Sequence, residues 1–565
     1  MSFYSDVADA VKKKSLSKSE LYKLKNRLAG IHELRDVPRD SDILLEIHDD
    51  AKIVSKPSRL SSGVAVVAIM TAPLGCPHGR CIFCPGGPGS IFGDVPQSYT
   101  GKEPASLRAS RNNYDSYLQV WNRLEQYVAS GHYPDKVELI IMGGTFPSYA
   151  REYQEEFVTY ALKGMSDFGS NFLCDGEVRW EKFKKFFELP GGVKDAQRVE
   201  NIQKKETILR GESTLAKEKK RNETARVRCV ASCVETKPDW AFEPHINQML
   251  NIGTTRVEMG VQALSDDILK KTNRGHTLAD TVKAQQLLKD SFLKTCFHMM
   301  PGLPGSSMER DISDFKELFS NPDYMPDALK IYPCMVLKGT PLYELWKRGK
   351  YIPINREQAA NIIVEGKKYI PEWCRVMRIQ RDIPTYRTEA GVDKTNLRQY
   401  VAELQKERGV QCRCIRCREP RSKDFAEFEK EKIVVKKSVY GASGGSEIFL
   451  QAVDKKHDML LGFCRLRIPF TPFRPEITKG SAGIRELHVY GSAVPIGTSD
   501  LKIETVNSNK VQHLGLGKKL LAESERIAKE DFDVKKLLVI SGIGVREYYR
   551  NLGYKNDGVY VSKRL

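Results

Sequence analysis

From residue 64 the chain alternates short apolar runs with amphipathic segments at a steady spacing. VAVVAIMTAP (64–73), KVELIIMGG (136–144), VRCVASCVETKP (227–238), TTRVEMGVQAL (254–264), KTCFHMMPGLPG (294–305) and ALKIYPCMV (328–336) read as strands. Between them, segments such as SYLQVWNRLEQYV and DISDFKELF repeat apolar positions every three or four residues, as helices do. Several of the strand runs are continuously apolar, which predicts a parallel sheet buried on both faces. Six such βα units predict an α/β architecture, an incomplete TIM-type (βα)6 barrel with its chemistry at the C-terminal strand ends. Residues 340–400 read as helical and basic. From about 432 the pattern turns to antiparallel-style strands, KIVVKKSVYG, EIFLQAV, LLGFCRLRIP and GIRELHVYG. The helix GKKLLAESERIAKE follows, with Leu516, Leu520 and Ile527 marking its apolar side, and then the strand KLLVISGIG. The expected division is a basic helical segment (1–60), the barrel (61–400), a cysteine-rich connector (401–431) and a second α/β domain (432–565).

Charge adds a partner. The 565 residues carry a net charge of +18, and the excess is clustered. Segment 202–228 holds nine basic and four acidic residues, and residues 1–30 hold seven against three. A third run is Arg375, Arg378, Arg381 and Arg387. Any one run reads equally as a solvated helix face; together they point to a nucleic acid. The longest apolar stretches, near 63–75 and 537–545, are too short to cross a bilayer. The N-terminus MSFYSDVADAVKKK lacks signal-peptide order, so a cytoplasmic protein without a membrane partner is expected. Thirteen cysteines in so long a chain do not suggest a secreted disulfide scaffold.

Six of the cysteines fall in two tight groups. Cys76, Cys81 and Cys84 follow the first strand at C-x4-C-x2-C spacing, and three thiolates on one loop can hold three corners of a [4Fe–4S] cluster. A zinc loop using His78, or buried thiols, are the alternatives. Cys412, Cys414 and Cys417 form a C-x-C-x-x-C group suited to structural zinc, with Cys374 or Cys464 as the fourth ligand, or else to free thiols or a second redox site. After the second strand, Gly143, Gly144 and Thr145 make a loop whose backbone can approach a ligand closely. Glu235, Lys237 and Gln262 lie at later strand ends, where ordinary salt bridges are the simpler reading. In the second domain, Gln512-His513-Leu514-Gly515-Leu516-Gly517 opens a helix, a nest of N–H groups suited to a pyrophosphate.

The cysteine triad and the polar strand ends resemble the radical S-adenosylmethionine superfamily. The glycine loop and the flanking strands resemble GNAT-type acetyltransferases. In such folds a strand here matching Glu486, Leu487, His488 and Val489 splays to meet the pantetheine of coenzyme A. A tyrosine here matching Tyr548 or Tyr549 sits by the thioester, unless the pair is simply core packing. The combination, with CPHGRCIFCPGGPG, QSYTGKEPASLRA, DILKKTNRGHT, ELHVYGSAVP and VISGIGVREYYRNLGY, resembles the catalytic subunits of Elongator in their archaeal form. That resemblance implies a cluster on Cys76, Cys81 and Cys84. It also implies acetyl-coenzyme A contacts at Lys136, Glu486 through Val489, Leu516, Gly517, Lys518 and Tyr549. The implied reaction is carboxymethylation of the wobble uridine of tRNA, with the anticodon arm, S-adenosylmethionine and an electron donor as partners; a homodimer is compatible with it. Two other readings compete: a protein lysine acetyltransferase with Glu486 as general base, and an RNA-binding scaffold without activity.

Overall fold

The computed structural model describes residues 2–13, 18–47, 60, 62–192, 195–420, 433–491 and 515–565. Gln512–Leu514, Lys56–Arg59 and the connector beyond residue 420 lie outside the described residues.

Three short helices, α1 (Phe3–Lys13), α2 (Lys18–Ile31) and α3 (Asp40–Ile47), open the chain. They share a small core of Phe3, Val7, Leu21, Leu28, Ile43 and Leu44, against which Trp180 packs.

Seven parallel strands follow in one sheet, neighbours in chain order. They are β1 (Ala65–Met70), β2 (Lys136–Met142), β3 (Arg228–Thr236), β4 (Arg256–Gln262), β5 (Lys294–Met299), β6 (Ala328–Ile331) and β7 (Arg375–Ile379). The six expected strands are all present. The seventh corrects the helical reading of 340–400, because Arg375–Ile379 pairs in parallel with β6. Its two arginines masked it: Val376 and Ile379 are buried, while Arg375 opens toward a cleft below the sheet.

The sheet is buried on both faces, as expected, but its two faces differ in character. On β4, Val257, Met259 and Val261 join the main core, whereas Arg256, Glu258 and Gln262 take the other face. β5 splits Phe297 and Met299 from Lys294, Cys296 and His298 in the same way. The outer face therefore packs under helices and the inner face is polar. Period-two alternation was present in the sequence, but full burial of the inward charges disguised it. The covering helices include α4 (Ser116–Val128), capped by Asp115 accepting from Leu118 N at 3.0 Å, and α5 (Arg151–Phe172). Trp121 of α4 is completely buried, 5.4 Å from the Tyr117 ring and 5.6 Å from those of Phe168 and Phe172. Burial of such a ring stabilises by roughly 1.5–3 kcal/mol or more.

The C-terminal unit is a second seven-stranded sheet. Its strands are β8 (Ile433–Ala442), β9 (Gly445–Asp454), β10 (Met459–Ile468), β11 (Ser481–Val489), β12 (Lys536–Val539), β13 (Lys555–Asp557) and β14 (Tyr560–Arg564). Their order is β8-β9-β10-β11-β12-β14-β13, and helix α8 (Leu516–Phe532) packs Leu516, Leu520 and Ile527 into its core. β11 and β12 pair in parallel, but only from Ser481–Lys536 to Ile484–Val539. Beyond that point β11 keeps its pairing with β10, and its Glu486–Val489 stretch splays away from β12.

The two units are joined by buried charge rather than by apolar contact alone. Arg485 Nη2 meets Asp327 Oδ2 at 2.5 Å, and Arg467 Nη2 meets Asp290 Oδ1 at 2.6 Å. Glu447 accepts from both arginines, at 2.9 and 3.0 Å, and lies 3.4 Å from Lys289. All of these side chains are buried. Burial alone would push the Asp327 carboxyl up; Arg485, Lys289 and Arg465 outweigh it and hold it well below the usual carboxylate range. Losing one member of such a set leaves a charge in a dry interior, at about 3–5 kcal/mol.

Candidate functional site

The C-terminal ends of the barrel strands surround a recess of about 140 Å³. The cysteine loop leaving β1 forms one wall, and each of its sulfurs has a polar neighbour. Thr145 Oγ1 is 3.4 Å from Cys76 Sγ, Arg274 Nη1 donates to Cys81 Sγ at 3.2 Å, and Ser98 N donates to Cys84 Sγ at 3.2 Å. Hydrogen bonds to sulfur are what the thiolates of an iron–sulfur cluster receive. His78 Nε2 is 3.1 Å from Cys81 Sγ. Burial, then Lys237 and Arg274, push the His78 imidazole down to about 3, so it is neutral at ordinary pH.

The glycine loop fits a closely held ligand. Gly143 and Gly144 have φ of 123° and 109°, and a Cβ on Gly143 would lie 2.3 Å from Thr71 Oγ1. A Cβ on Gly144 would sit 3.6 Å from Cys76 Sγ, so this backbone lies directly against the triad. Gln262 also has positive φ, 74°, and its Oε1 is buried without a hydrogen-bond partner. An unsatisfied buried acceptor beside a glycine cradle and three paired sulfurs suits a polar cofactor over a cluster.

Glu235 reaches this recess by way of a bulge. Val137 pairs with Cys229 but Glu138 with Ala231, so one extra residue of β3 flips everything after it. Without the bulge Val234 would face inward and Glu235 outward. Lys237 is buried and paired with Asp239 at 3.1 Å.

At the opposite end, the N-terminal strand ends and the splayed β11 enclose a much larger cleft, about 1370 Å³. Lys136 and Arg228, register partners at the starts of β2 and β3, line its barrel side. Glu486, Leu487, His488 and Val489 line the other side, with Gly517 and Lys518 at the start of α8. Gly515 caps that helix with φ 66°, the left-handed conformation that glycine adopts without strain. A Cβ on Gly517 would come within 3.2 Å of Tyr548 Oη and 3.7 Å of Val489. Tyr548 and Tyr549 both line the cleft; Tyr549 is buried, its ring 5.7 Å from that of Tyr554, and Leu516 packs in the same core.

Glu486 is held tightly there. Arg465 Nε donates to it at 2.9 Å and Lys294 Nζ at 3.1 Å. Burial would raise its pKa, but Lys294 and Arg465 prevail and hold the carboxyl at about 2. Burial pushes the His488 imidazole down to about 4, with Glu486 pulling the other way.

Between the two cavities the barrel is filled with charge. Glu138 and Arg256 form an ion pair facing the lower cleft, and Arg256 Nη2 reaches Glu258 Oε1 at 3.1 Å. Glu258 is completely buried; it pairs with Lys330 and lies 3.0 Å from His298 Nε2. Burial would raise the Glu258 carboxyl, but Lys330, His298 and Arg256 hold it well below the usual range. Lys330 also reaches Glu235, at 3.5 Å, and Tyr99 Oη donates to Glu235 at 3.1 Å. Sequence reasoning placed Glu235 and Glu258 at strand ends but missed their connection into a column, whose one signal was the charge at Arg256 and Glu258, two apart on β4.

The second cysteine group sits under the domain junction. The Sγ atoms of Cys412, Cys414 and Cys417 lie within 4.8 Å of one another, a spacing at which one ion can bridge them. Cys464 does not join them: its Sγ accepts from Ser524 in the core against α8. Cys374 lies beside Cys414 without completing the tight group. Lys367 Nζ is 3.8 Å from Cys417 Sγ.

The basic runs differ in how much of their charge is free. In 202–228, Lys204, Lys205, Arg210, Lys220 and Arg221 are all ion-paired, the last with Asp167 at 2.5 Å. Helix α6 (Leu215–Asn222) leaves Lys217 exposed. Of the third run, Arg378 and Arg381 reach the upper recess. Among the described residues, no helix is long and apolar enough to cross a membrane.

Residues 205–318 match the model of the Radical SAM superfamily, and residues 326–407 that of the Radical_SAM C-terminal domain. A Methanocaldococcus jannaschii protein named "tRNA uridine(34) acetyltransferase" is 48% identical over 564 residues, covering 98% of this chain and 95% of that one. The Dictyostelium discoideum protein "Elongator complex protein 3" is 40% identical, covering 97% and 92%. Among solved structures, archaeal Methanocaldococcus infernus Elp3 lacking residues 1–46 superposes with a TM-score of 0.71 at 43% identity, over 89% of this chain and all of that one.

Proposed function

The chain belongs to the family of tRNA uridine(34) acetyltransferases and Elongator complex protein 3, and from that premise we propose that it modifies the wobble uridine of tRNA. The product we infer is 5-carboxymethyluridine, with acetyl-coenzyme A as the source of the two carbons. The observation that carries this reading is the placement of two unlike cavities at the two ends of one barrel. One is walled by the paired cysteine loop; the other is walled by a splayed strand and a helix N-terminus.

Cys76, Cys81 and Cys84 would hold a [4Fe–4S] cluster, with Gly143, Gly144, Thr145, Glu235, Lys237 and Gln262 around S-adenosylmethionine. Bound together, these groups supply a 5′-deoxyadenosyl radical able to take hydrogen from an acetyl methyl, a chemistry beyond side chains. Lys136, Glu486 through Val489, Leu516, Gly517, Lys518 and Tyr549 would hold acetyl-coenzyme A. There the N–H groups at the start of α8 would receive the pyrophosphate and the splayed backbone of β11 the pantetheine. Tyr548, whose hydroxyl faces Gly517, would orient the thioester. Cys412, Cys414 and Cys417 would take a structural zinc ion. An external donor would reduce the cluster, and a cytoplasmic setting would supply both tRNA and donor.

The lysine acetyltransferase reading is weakened by Glu486. A carboxyl held at about 2 by two cations is a poor base for an ammonium group. The test is mass spectrometry of tRNA nucleosides after anaerobic incubation with carbon-labelled acetyl-coenzyme A, S-adenosylmethionine and reductant. Label in a carboxymethylated uridine supports the proposal; label on protein lysine alone would overturn it.

A further inference from the structure

We propose that the rim of the upper recess carries a stacking platform for unpaired nucleotides, built from Tyr386, Arg387 and Phe92 and continued inward by Arg381 and Tyr99. The proposal rests on the reading of the chain as a tRNA-modifying enzyme and names how the substrate would be gripped beside the target base.

The first observation is an exposed aromatic ring without a packing reason. Tyr386 is 72% exposed, on a short 3-10 turn (Thr385–Arg387). The second is what backs it. The Arg387 guanidinium lies 5.4 Å from the Tyr386 ring centre and 5.3 Å from that of Phe92, so one cation contacts two rings. Phe92 belongs to the hairpin that follows the cysteine loop. The third is charge left over. Among the described residues Arg387 and Arg381 make no ion pair, and the Nε of Arg387 is buried without a hydrogen-bond partner, whereas neighbouring Arg378 is paired with Asp382 at 2.6 Å.

The alternation of cation and ring continues toward the cluster loop. Arg381 lies 5.9 Å from the Tyr99 ring centre and donates to the Ser98 carbonyl. Ser98 N in turn donates to Cys84 Sγ, and Tyr99 Oη to Glu235. An exposed ring backed by an unpaired guanidinium offers a flat π-face with positive charge alongside. Unstacked bases with their phosphates fit such a surface, since every base has a π-face and every linkage an anion. A duplex, whose bases are already stacked, has little to gain from it.

The experiment is fluorescence anisotropy with a labelled anticodon stem-loop RNA and, separately, a blunt RNA duplex of the same length. Tyr386→Ala is expected to weaken stem-loop binding roughly tenfold with an unchanged salt slope, because stacking releases few counterions. Tyr386→Phe is expected to retain wild-type affinity, and duplex binding is expected to be equal in all three proteins. Arg387→Ala is expected to weaken the stem-loop as well and to reduce its salt slope. Unchanged melting temperatures establish that these surface variants fold. Stem-loop affinity within twofold of wild type for both Tyr386→Ala and Arg387→Ala would overturn the platform while leaving the tRNA reading intact. Failure of the wild-type protein to bind the stem-loop at all would overturn both.

Discussion

Arg256 and Glu258, two residues apart on one strand, stand on opposite sides of the partition between the two cavities, joined at 3.1 Å. Glu258 serves Arg256, Lys330 and His298 at once. Glu258→Gln should therefore destabilise the protein by about 3–5 kcal/mol, because two buried cations lose their shared anion. Urea unfolding at neutral pH measures this. A loss below about 1 kcal/mol, as for an exposed pair, would mean that water reaches the column.

Acid should unfold the protein in two stages that can be assigned. His488 sits at about 4 in the fold and near 6.5 when unfolded, so its contribution is intact above pH 6.5 and is lost as pH falls toward 4. Glu486, at about 2 folded, contributes fully above about pH 4.5 and loses that contribution as pH falls toward 2. Each is worth about 2 kcal/mol after allowing for its partial access to the cleft. Denaturation midpoints should fall between pH 6.5 and 4 in wild type, and His488→Gln should flatten that interval. An equal slope in the variant would assign the effect elsewhere.

Removing Cys81 should separate cofactor chemistry from RNA binding. Cys81→Ala deletes one sulfur and the acceptor of the Arg274 hydrogen bond, yet leaves the basic rim untouched. Anaerobically reconstituted protein should lose most of its iron, its visible absorbance and all cleavage of S-adenosylmethionine. Its tRNA affinity should stay within about twofold of wild type, given that phosphate contacts dominate such affinity. Iron retained at wild-type stoichiometry would show that another residue completes the site.

The lower cleft makes a different claim on its residues. Lys136→Ala should weaken coenzyme A binding about tenfold, the scale of one charge-assisted hydrogen bond lost from the cleft wall. Gly517→Val should abolish binding, since its added atoms meet Tyr548 and Val489 where the ligand must lie. Calorimetry with coenzyme A reads both, and S-adenosylmethionine cleavage should persist in each. Binding unaffected by Gly517→Val would place the coenzyme elsewhere.

The second cysteine group predicts a metal-dependent junction. One zinc ion per chain should be found by elemental analysis and be lost in Cys414→Ala, with a fall in melting temperature. The same fall in the variant without any zinc in the wild type would point to thiol packing instead.

Much of this arrangement is legible in the sequence, and the exceptions have physical reasons. The strand runs, the cysteine triad and the paired glycines depend on local pattern, which a linear reading captures. β7 escaped because Arg375 and Arg378 resemble a basic surface, and only the neighbouring sheet shows that they lean into cavities. Glu235 could be placed at a strand end, but its direction depends on a one-residue bulge in β3 that no periodicity reveals. The basic run at 202–228 looked like a footprint; five of its nine cations are ion-paired, three of them with Glu188, Asp115 and Asp167 from segments outside the run. Long-range ion pairing is the part of the fold a single sequence hides best.

The charged seam between the two units also bears on how the protein is made. Synthesis proceeds from the N-terminus, so Asp290 and Asp327 leave the ribosome long before Arg467 and Arg485 exist. Until then Asp290 lacks its arginine and Asp327 has only Lys289 beside it. Arrival of the last strands buries both carboxylates and gives each its arginine. A chain cut before Arg467 thus exposes two carboxylates that the complete fold buries, a mark of its incompleteness.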